Sequence, residues 1–78
     1  MAEVQRKYYS TGEISSEVFE INGKREGEYK SYWENWQLKQ ICTYIDGKVN
    51  GELKYYHENG QLYSICMYIN GKRNSECK

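Results

Sequence analysis

The chain has 78 residues, which leaves room for one domain with a small core. It carries 11 Lys and Arg and 11 Asp and Glu, so the formal net charge is zero, which argues against a nucleic-acid-binding protein with its usual basic face. The longest apolar stretch, SICMYI, is far shorter than the roughly 20 residues that a membrane-spanning helix needs.

The N-terminal sequence MAEVQRKYY lacks the apolar segment of a signal peptide. The charges are interspersed, without a polybasic run that would attach the chain to a membrane. We therefore expect a cytoplasmic protein, unless a targeting segment has been removed from this sequence.

The sequence repeats itself with a period of 24 residues. Residues 27–50 and 51–74 are identical at fifteen of twenty-four positions, a more degenerate copy occupies about 3–26, and a partial copy begins at 75–78. Fixed-period self-similarity is typical of repeat architectures, in which each unit buries its face against its neighbours. We therefore predict one repeat domain over residues 1–78.

Two kinds of turn sequence alternate along the chain. The first kind, STGE, ENWQ and ENGQ, predicts four-residue loops at 10–13, 34–37 and 58–61. The second kind, Asn-Gly or Asp-Gly, suits two-residue type I′ turns, because both central residues need positive φ. These turns lie at 22–23, 46–47 and 70–71. The glycines assigned to the two kinds of turn are Gly12, Gly23, Gly47, Gly60 and Gly71.

The segments between the turns predict strands, since they are short and rich in Tyr, Ile, Val and Trp. The resulting fold is all-β: an antiparallel meander of repeated β-hairpins with up to seven short strands in a single elongated, twisted sheet. A two-residue turn at 46–47 places Tyr44 opposite Val49, and Cys42 opposite Gly51. The same rule places Val18 opposite Gly27 and Cys66 opposite Ser75, and we expect the sheet to bend at these small residues.

Alternation along the strands divides the side chains between two faces. The better candidate for the interior carries Leu38, Cys42, Tyr44, Val49, Leu53 and Tyr55. The other face mixes Ile41, Ile45 and Tyr56 with Lys39, Lys48, Glu52 and Lys54. Because this second face is not cleanly polar, we expect that the sheet curls or that another chain covers one face.

The repeat units resemble MORN repeats, and most closely the bacterial MORN-repeat variant. The residues that carry the pattern are Tyr32, Leu38, Tyr44, Gly47, Lys48 and Gly51, and then Tyr56, Gly60, Leu62, Tyr68, Asn70, Gly71 and Lys72. The resemblance implies an elongated meander of β-hairpins that serves as a scaffold or binding surface. The sequence leads us to expect no cofactor. Bacterial members are described as antitoxin-like components of toxin–antitoxin pairs, and other MORN proteins are linked to membrane lipids and protein scaffolding.

The cysteines predict neither a metal site nor a firm disulfide. Cys42 and Cys66 share one repeat position and so lie two strands, roughly 10 Å, apart, beyond the Cα separation of about 7 Å that a disulfide tolerates. Cys77 is expected diagonal to Cys66, at about 7–8 Å, which is marginal. We interpret Cys42 and Cys66 as small apolar side chains in the column that Val18 begins. The Cys-x-x-Cys spacing of zinc sites does not occur.

No residue pattern predicts catalysis. His57 is the sole histidine and replaces Trp33 and Tyr9 at the same repeat position, so it belongs to a packing column. A general base needs a nucleophile or an acid placed beside it, and the sequence singles out no such pair. We therefore predict no enzyme activity and no catalytic residue.

The aromatic residues beside the loops are the candidate partner-binding residues: Trp33, Trp36, Tyr55 and His57. Trp36 occupies the position of Gly12 and Gly60 in the neighbouring repeats. If that position needs positive φ, a tryptophan is costly there, and an exposed tryptophan is a plausible interface anchor. The alternative is a loop of slightly different geometry that tolerates Trp36.

Two kinds of function follow from these observations. The first is a non-catalytic protein-interaction module, with another protein, such as a toxin, as partner. The unfinished unit at 75–78 also leaves a strand edge, so a homo-oligomer through a sheet edge or face is a further expectation. The second is a peripheral membrane module for anionic lipid, which would need a basic rim. Lys24-Arg25 and Lys72-Arg73 could line such a rim, but Lys48-Val49 interrupts it.

Overall fold

The structure, a computed structural model, describes residues 2–74 and 77. Over these residues the chain consists of strands and turns. No helix in this part of the chain is long and apolar enough to cross a membrane.

The strands form one antiparallel sheet. They are β1 Ala2–Tyr8, β2 Ile14–Ile21, β3 Lys24–Tyr32, β4 Leu38–Ile45, β5 Lys48–Val49, β6 Gly51–Tyr56, β7 Leu62–Ile69 and β8 Lys72–Arg73. The order across the sheet is β1-β2-β3-β4-β6-β7-β8, and β5 pairs with β4 just before β6 does. β5 and β6 are one strand position interrupted at Asn50, so the predicted meander of hairpins is confirmed.

The two-residue turns have the predicted type I′ geometry. Their first residues, Asn22, Asp46 and Asn70, have φ of 52°, 53° and 51°, and the glycine that follows each has φ of 82–83°. Tyr44 accordingly lies opposite Val49, as predicted, and Ile45 lies opposite Lys48.

The other loops are one residue shorter than predicted. Tyr9 N donates to Glu13 O at 2.8 Å, and Gly12 N donates to Tyr9 O at 2.9 Å, which leaves three residues between the closing pair. The same two bonds recur 24 and 48 residues later. A three-residue hairpin loop combines a type I turn with a residue of positive φ, here Gly12, Trp36 and Gly60.

The predicted pairings of Val18 with Gly27 and of Cys42 with Gly51 are wrong. Val18 lies opposite Tyr29, because the register of β2 and β3 shifts by two residues between Val18 and Glu20. Likewise, Gln40 and Ile41 pair with Tyr55 and Lys54, two residues out of register with the Tyr44–Val49 pair. The predicted pairing of Cys66 with Ser75 lies outside the described residues.

The cause of the shift is a two-residue bulge at the strand glycine of each repeat. Gly27 and Gly51 have φ of 92° and 98°, a conformation that a residue with a Cβ rarely adopts. Bulges bend a strand and increase its twist. The strand glycines are therefore bulge positions, and they do not lie opposite the Val/Cys positions.

The bulge shifts the register by an even number of residues, so each side chain keeps its face. One face, which we call the inner face, contains the buried apolar side chains Val18, Cys42, Leu53 and Cys66. Val18 is opposite Tyr29, Tyr29 is opposite Cys42, and Leu53 is opposite Cys66, so these residues form one row across the sheet. This is the face that the sequence favoured as the interior.

The opposite, outer face remains accessible and mixes charge with apolar surface. Lys30 pairs with Glu28 at 3.3 Å, and Lys54 pairs with Glu52 at 3.6 Å. Ile45 is 53 % exposed on the same face. The Cα atoms span 36 × 34 × 13 Å, so the single layer is curved out of a plane, as expected for a twisted sheet.

Cys66 forms a disulfide with Cys77, which corrects the interpretation of Cys66 as only a small apolar side chain. The two Cα atoms are 4.3 Å apart rather than the expected 7–8 Å. Cys77 is the repeat equivalent of Leu53, and the register that joins Gln40 to Tyr55 and Ile41 to Lys54 puts Leu53 opposite Cys42, the equivalent of Cys66. A directly opposed antiparallel pair lies within about 4.5–5.5 Å, which a disulfide can bridge. Cys42 is free and buried, and it is not bonded to Cys66, as predicted.

Adjacent repeats are also joined through their turns. Gly47 N donates to Arg25 O at 3.0 Å, and Gly71 N donates to Val49 O at 2.8 Å. Asp46 N donates to Glu26 Oε1 at 2.9 Å, and Lys24 Nζ pairs with Asp46 Oδ1 at 3.2 Å. The second and third type I′ turns therefore pack on the strand that follows the preceding type I′ turn.

The disulfide should stabilise the C-terminal side of the sheet. Because Cys66 and Cys77 are 11 residues apart, the loop-entropy model gives a contribution of about 3 kcal/mol. We expect the variant Cys77→Ser to lower the unfolding free energy by about 2–3 kcal/mol in urea denaturation. Reductant should lower the stability of the wild type but not of the variant. Equal stability of wild type and variant without reductant would contradict this pairing.

Candidate partner-binding surface at the loop edge

The three-residue loops lie side by side along one end of the strands, an edge that we call the loop edge and define as residues 9–13, 33–37 and 57–61. It contains three carboxylates, Glu13, Glu34 and Glu58, and no Lys or Arg. Asn35 and Asn59 accept hydrogen bonds through their side chains from the backbone N–H groups of Gln37 and Gln61, at 3.0 and 2.9 Å. Such Asx turns fix the loop conformation.

Trp33, a predicted partner-binding residue, has a structural role. Its Nε1 donates to Tyr56 O at 3.0 Å, which joins the second repeat to the third. Tyr9 makes the equivalent bond from its hydroxyl to Tyr32 O. Lys39 Nζ lies 4.9 Å from the centroid of the Trp33 ring, so the ring is covered from that direction.

His57 is the third member of this column. It packs against Tyr63 with ring centroids 4.9 Å apart, at the repeat position where Lys39 packs on Trp33. His57 and Trp33 line one open depression of about 490 Å³ together with Glu58, Asn59 and Gln61. No cysteine from the described part of the chain lines this depression, so His57 is not placed beside a nucleophilic thiol.

Tyr55 lies away from the loop edge, on the inner face. It pairs with Gln40 on one side and Ser64 on the other, and its side chain is about one-third exposed. Burial raises its pKa, and the neighbouring Tyr68, Cys42, Tyr29 and Tyr44 raise it further. The structure therefore separates Tyr55 from the other three predicted partner-binding residues.

Trp36, the fourth predicted partner-binding residue, is highly exposed. Its φ is 73°, in the left-handed region, and 74 % of the residue is exposed. The predicted need for positive φ at this position is confirmed, because the loop keeps the geometry of its neighbours rather than a different one. Trp36 does not line the depression that contains His57 and Trp33; it lines a second one, of about 460 Å³.

Four residues that the sequence did not predict as partner-binding complete this second depression, which we call the Trp36 depression. Its other lining residues are Gly12, Glu13, Ile14 and Tyr32. Gly12 is the residue one repeat before Trp36, so the repeat period itself is the signal that could have identified Glu13 and Ile14 as neighbours. Trp36 thus extends from its own loop over the loop of the preceding repeat.

The Glu13 carboxylate is held in place within the Trp36 depression. It accepts a hydrogen bond from the Thr11 hydroxyl, which is the largest cause of a lowered pKa. Its own backbone N–H and the Trp36 side chain lower the pKa further. Glu13 is therefore a fixed negative charge beside the indole at neutral pH.

A second unpredicted cluster lies at the opposite end of the inner face. Arg25 Nη1 donates to the Tyr44 hydroxyl at 3.0 Å, and the guanidinium carbon lies 5.1 Å from the centroid of the Tyr29 ring. It lies 5.3 Å from the centroid of the Tyr44 ring. These cation–π contacts close the inner face beside Cys42 and contribute to packing.

The free thiol is not activated. Burial raises the pKa of the Cys42 thiol, although the nearby Arg25 lowers it to a lesser extent. A protonated, buried thiol is a poor nucleophile. Among the described residues, no group of three His, Cys, Asp or Glu side chains is arranged to hold a metal ion.

Comparison with known proteins identifies repeats of one family. A model described as the MORN repeat variant matches residues 25–46 and again residues 49–70. Together these segments cover more than half of the chain. No curated protein and no solved structure matches the chain significantly.

The raised pKa of Tyr55 should make stability fall in alkaline solution. Above the ordinary tyrosine pKa of about 10, the unfolded chain loses this proton while the folded chain retains it. The unfolded state then binds fewer protons, so the unfolding free energy falls as the pH rises toward the pKa of the folded state. Urea denaturation between pH 9 and 11 should show a shallower fall for Tyr55→Phe than for wild type. Tyr63→Phe, which changes an exposed tyrosine, is the matched control. If the unfolding free energy of Tyr55→Phe falls with pH as steeply as that of the wild type, the assignment is refuted.

Proposed function

The chain belongs to the MORN repeat variant family, and we propose that it is a non-catalytic module that binds another protein through the loop edge, with Trp36 as the anchor. MORN repeats are a non-enzymatic repeat family, and they are generally protein or membrane interaction modules. The observation that carries the proposal is the exposed Trp36 at a backbone position of positive φ.

Trp36 contributes little to the stability of the fold. A non-glycine residue in the left-handed region costs roughly 1–2 kcal/mol, and the exposed indole recovers little of this by burial. The neighbouring repeats have glycine at the same position, with φ of 101° and 91°. Strained positions of this kind concentrate at binding sites, which supports a role in recognition.

The inner face is a weaker candidate for the partner. Its apolar row is already inaccessible, because Val18, Cys42, Leu53 and Cys66 are each no more than 6 % exposed. A protein partner gains most from an accessible aromatic side chain, since tryptophan is among the residues enriched at binding hot spots. Trp36 on the loop edge meets that condition.

The more specific form of the proposal is an antitoxin-like role, in which the partner is a toxin and both act in the cytoplasm. Its support is the resemblance to bacterial MORN-variant proteins. An antitoxin of this kind needs a stable scaffold and an exposed contact surface, and it needs no active site of its own.

The alternative is a peripheral module for anionic lipid. Lys24, Lys48 and Lys72 occupy equivalent positions beside the type I′ turns, at the edge opposite the loop edge. Lys24 is partly neutralised by Asp46 at 3.2 Å, and Val49 lies between Arg25 and Arg73 in the repeat pattern. The interrupted and partly neutralised row of basic residues is therefore weaker support for lipid binding than the exposed Trp36 is for a protein partner.

The test is affinity capture from lysate of the source organism with wild type and with Trp36→Gly. The substitution should raise the unfolding free energy by about 1 kcal/mol, because it relieves the strain of positive φ. It should nevertheless abolish retention of a stoichiometric protein partner. Ile45→Thr, which removes a 53 % exposed apolar residue at the opposite edge, is the matched control and should retain the partner.

Other outcomes of the same experiment would overturn the proposal. Retention of the partner by Trp36→Gly would exclude Trp36 as the anchor. Retention of nothing but copies of the chain itself would favour self-association through a sheet edge or face. If affinity capture retains no protein and the chain sediments with anionic vesicles at low salt, the lipid alternative is favoured.

A further inference from the structure

The Trp36 depression combines two aromatic side chains with one carboxylate. Trp36 and Tyr32 line it together with Glu13, while Ile14 and Gly12 complete its wall. The aromatic rings offer π faces, and the Thr11 hydroxyl holds the carboxylate. Aromatic faces beside a negative charge are the features that recognise an organic cation.

The ion pairs of the chain lie elsewhere. In the described part of the chain the paired carboxylates are Glu17, Glu28, Asp46 and Glu52, each with a Lys or Arg within 4 Å. No Lys or Arg of residues 2–74 forms such a pair with Glu13, Glu34 or Glu58. The carboxylates of the loop edge therefore remain available to a cation from outside the chain.

The charges of the whole sheet reinforce this arrangement. Lys24, Arg25, Lys48, Lys72 and Arg73 begin the strands that follow the type I′ turns, at the far end from the loop edge. Glu26 and Asp46 offset part of this charge at the turn edge, and Lys39 lies 4.9 Å from the Trp33 ring beside the loop edge. The carboxylates within residues 9–13, 33–37 and 57–61 have no Lys or Arg among them, so a basic group of a partner is attracted to these loops.

We propose that the Trp36 depression binds an arginine side chain of the protein partner, with the guanidinium stacked on Trp36 and hydrogen-bonded to Glu13. This inference rests on the proposed function and names the chemistry of the partner's contact. Arginine fits better than lysine because its planar guanidinium can stack on an indole and donate to a carboxylate at the same time. Ile14 and Tyr32 supply apolar contact for the methylene groups of the same side chain.

The test uses the purified chain and a small probe, N-acetyl-arginine amide, followed by NMR. N-acetyl-citrulline amide is the matched neutral probe, since it has nearly the same shape without the charge. We expect a saturable shift of the Trp36 indole N–H resonance and of the Gly12 and Glu13 amide resonances with the arginine probe. The Trp33 indole should not shift, and the citrulline probe should cause no saturable change.

Two variants make the assignment specific. Glu13→Gln should weaken binding of the arginine probe by about two- to fivefold, the range of an exposed charge pair. Glu58→Gln, in the neighbouring depression, is the control and should bind as wild type does. Trp36→Gly, observed through the Gly12 and Glu13 amides, should lose the response.

The result that would overturn the inference is an equal response to the two probes, no response to either, or a response that survives Trp36→Gly. These outcomes are separable from failure of the proposed function. If Trp36→Gly loses the captured partner but the arginine probe causes no response, the interaction module stands and the arginine site is rejected. If the arginine probe causes the response but no protein partner is captured, the arginine site stands and the interaction module is rejected.

Discussion

The constraint on which this fold depends is the two-residue bulge at the strand glycine of each repeat. Gly27 and Gly51 adopt φ above 90°, so the strand carries two residues more than its partner at that point. Because the shift is even, every later side chain keeps its face, and Tyr29 rather than Gly27 lies opposite Val18. The large side chain of Tyr29 thereby joins the buried row between Val18 and Cys42. A bulge also bends its strand and increases the local twist.

This arrangement separates stability from recognition. The inner face is sealed by its own side chains, with Val18, Cys42 and Leu53 buried and Arg25 packed over Tyr29. Neighbouring repeats are joined at both ends of the strands, through the Trp33–Tyr56 bond at one end and the turn bonds at the other. With the fold held in this way, the loop edge can carry a strained, exposed Trp36 and carboxylates that have no ion-pair partner among the described residues.

Much of this organisation could be predicted from the sequence because it depends on local chemistry. Asn-Gly and Asp-Gly specify type I′ turns whatever their surroundings, and alternation identifies the inner face once the turns are fixed. The positive φ of Trp36 could also be predicted, because its repeat equivalents Gly12 and Gly60 have the side chain that such a φ prefers. The 24-residue period and the turn residues are therefore sufficient to predict the family and the meander of hairpins.

The remaining features depend on register, which turn chemistry fixes only near the turn. Extending the two-residue hairpin past Gly51 puts Cys42 opposite the wrong residue, and the same extension predicts a separation of about 7–8 Å for Cys66 and Cys77, whose Cα atoms are in fact 4.3 Å apart. Aromatic residues adjacent in sequence were also grouped together, although Tyr55 faces the inner side and Trp33 is tied to the next repeat. Glu13 and Tyr32 join Trp36 only through the stacking of one repeat on another, which a single hairpin does not reveal.

The measurement that tests this account most directly is the pattern of cross-strand nuclear Overhauser effects between β2 and β3. The bulge predicts contacts that join Val18 to Tyr29 and Glu17 to Lys30. An uninterrupted hairpin would instead join Val18 to Gly27. Observation of the Val18–Tyr29 contact, with none between Val18 and Gly27, would confirm the register on which the buried row depends. The Val18–Gly27 contact in its place would contradict that register, and with it the account of how the inner face is closed.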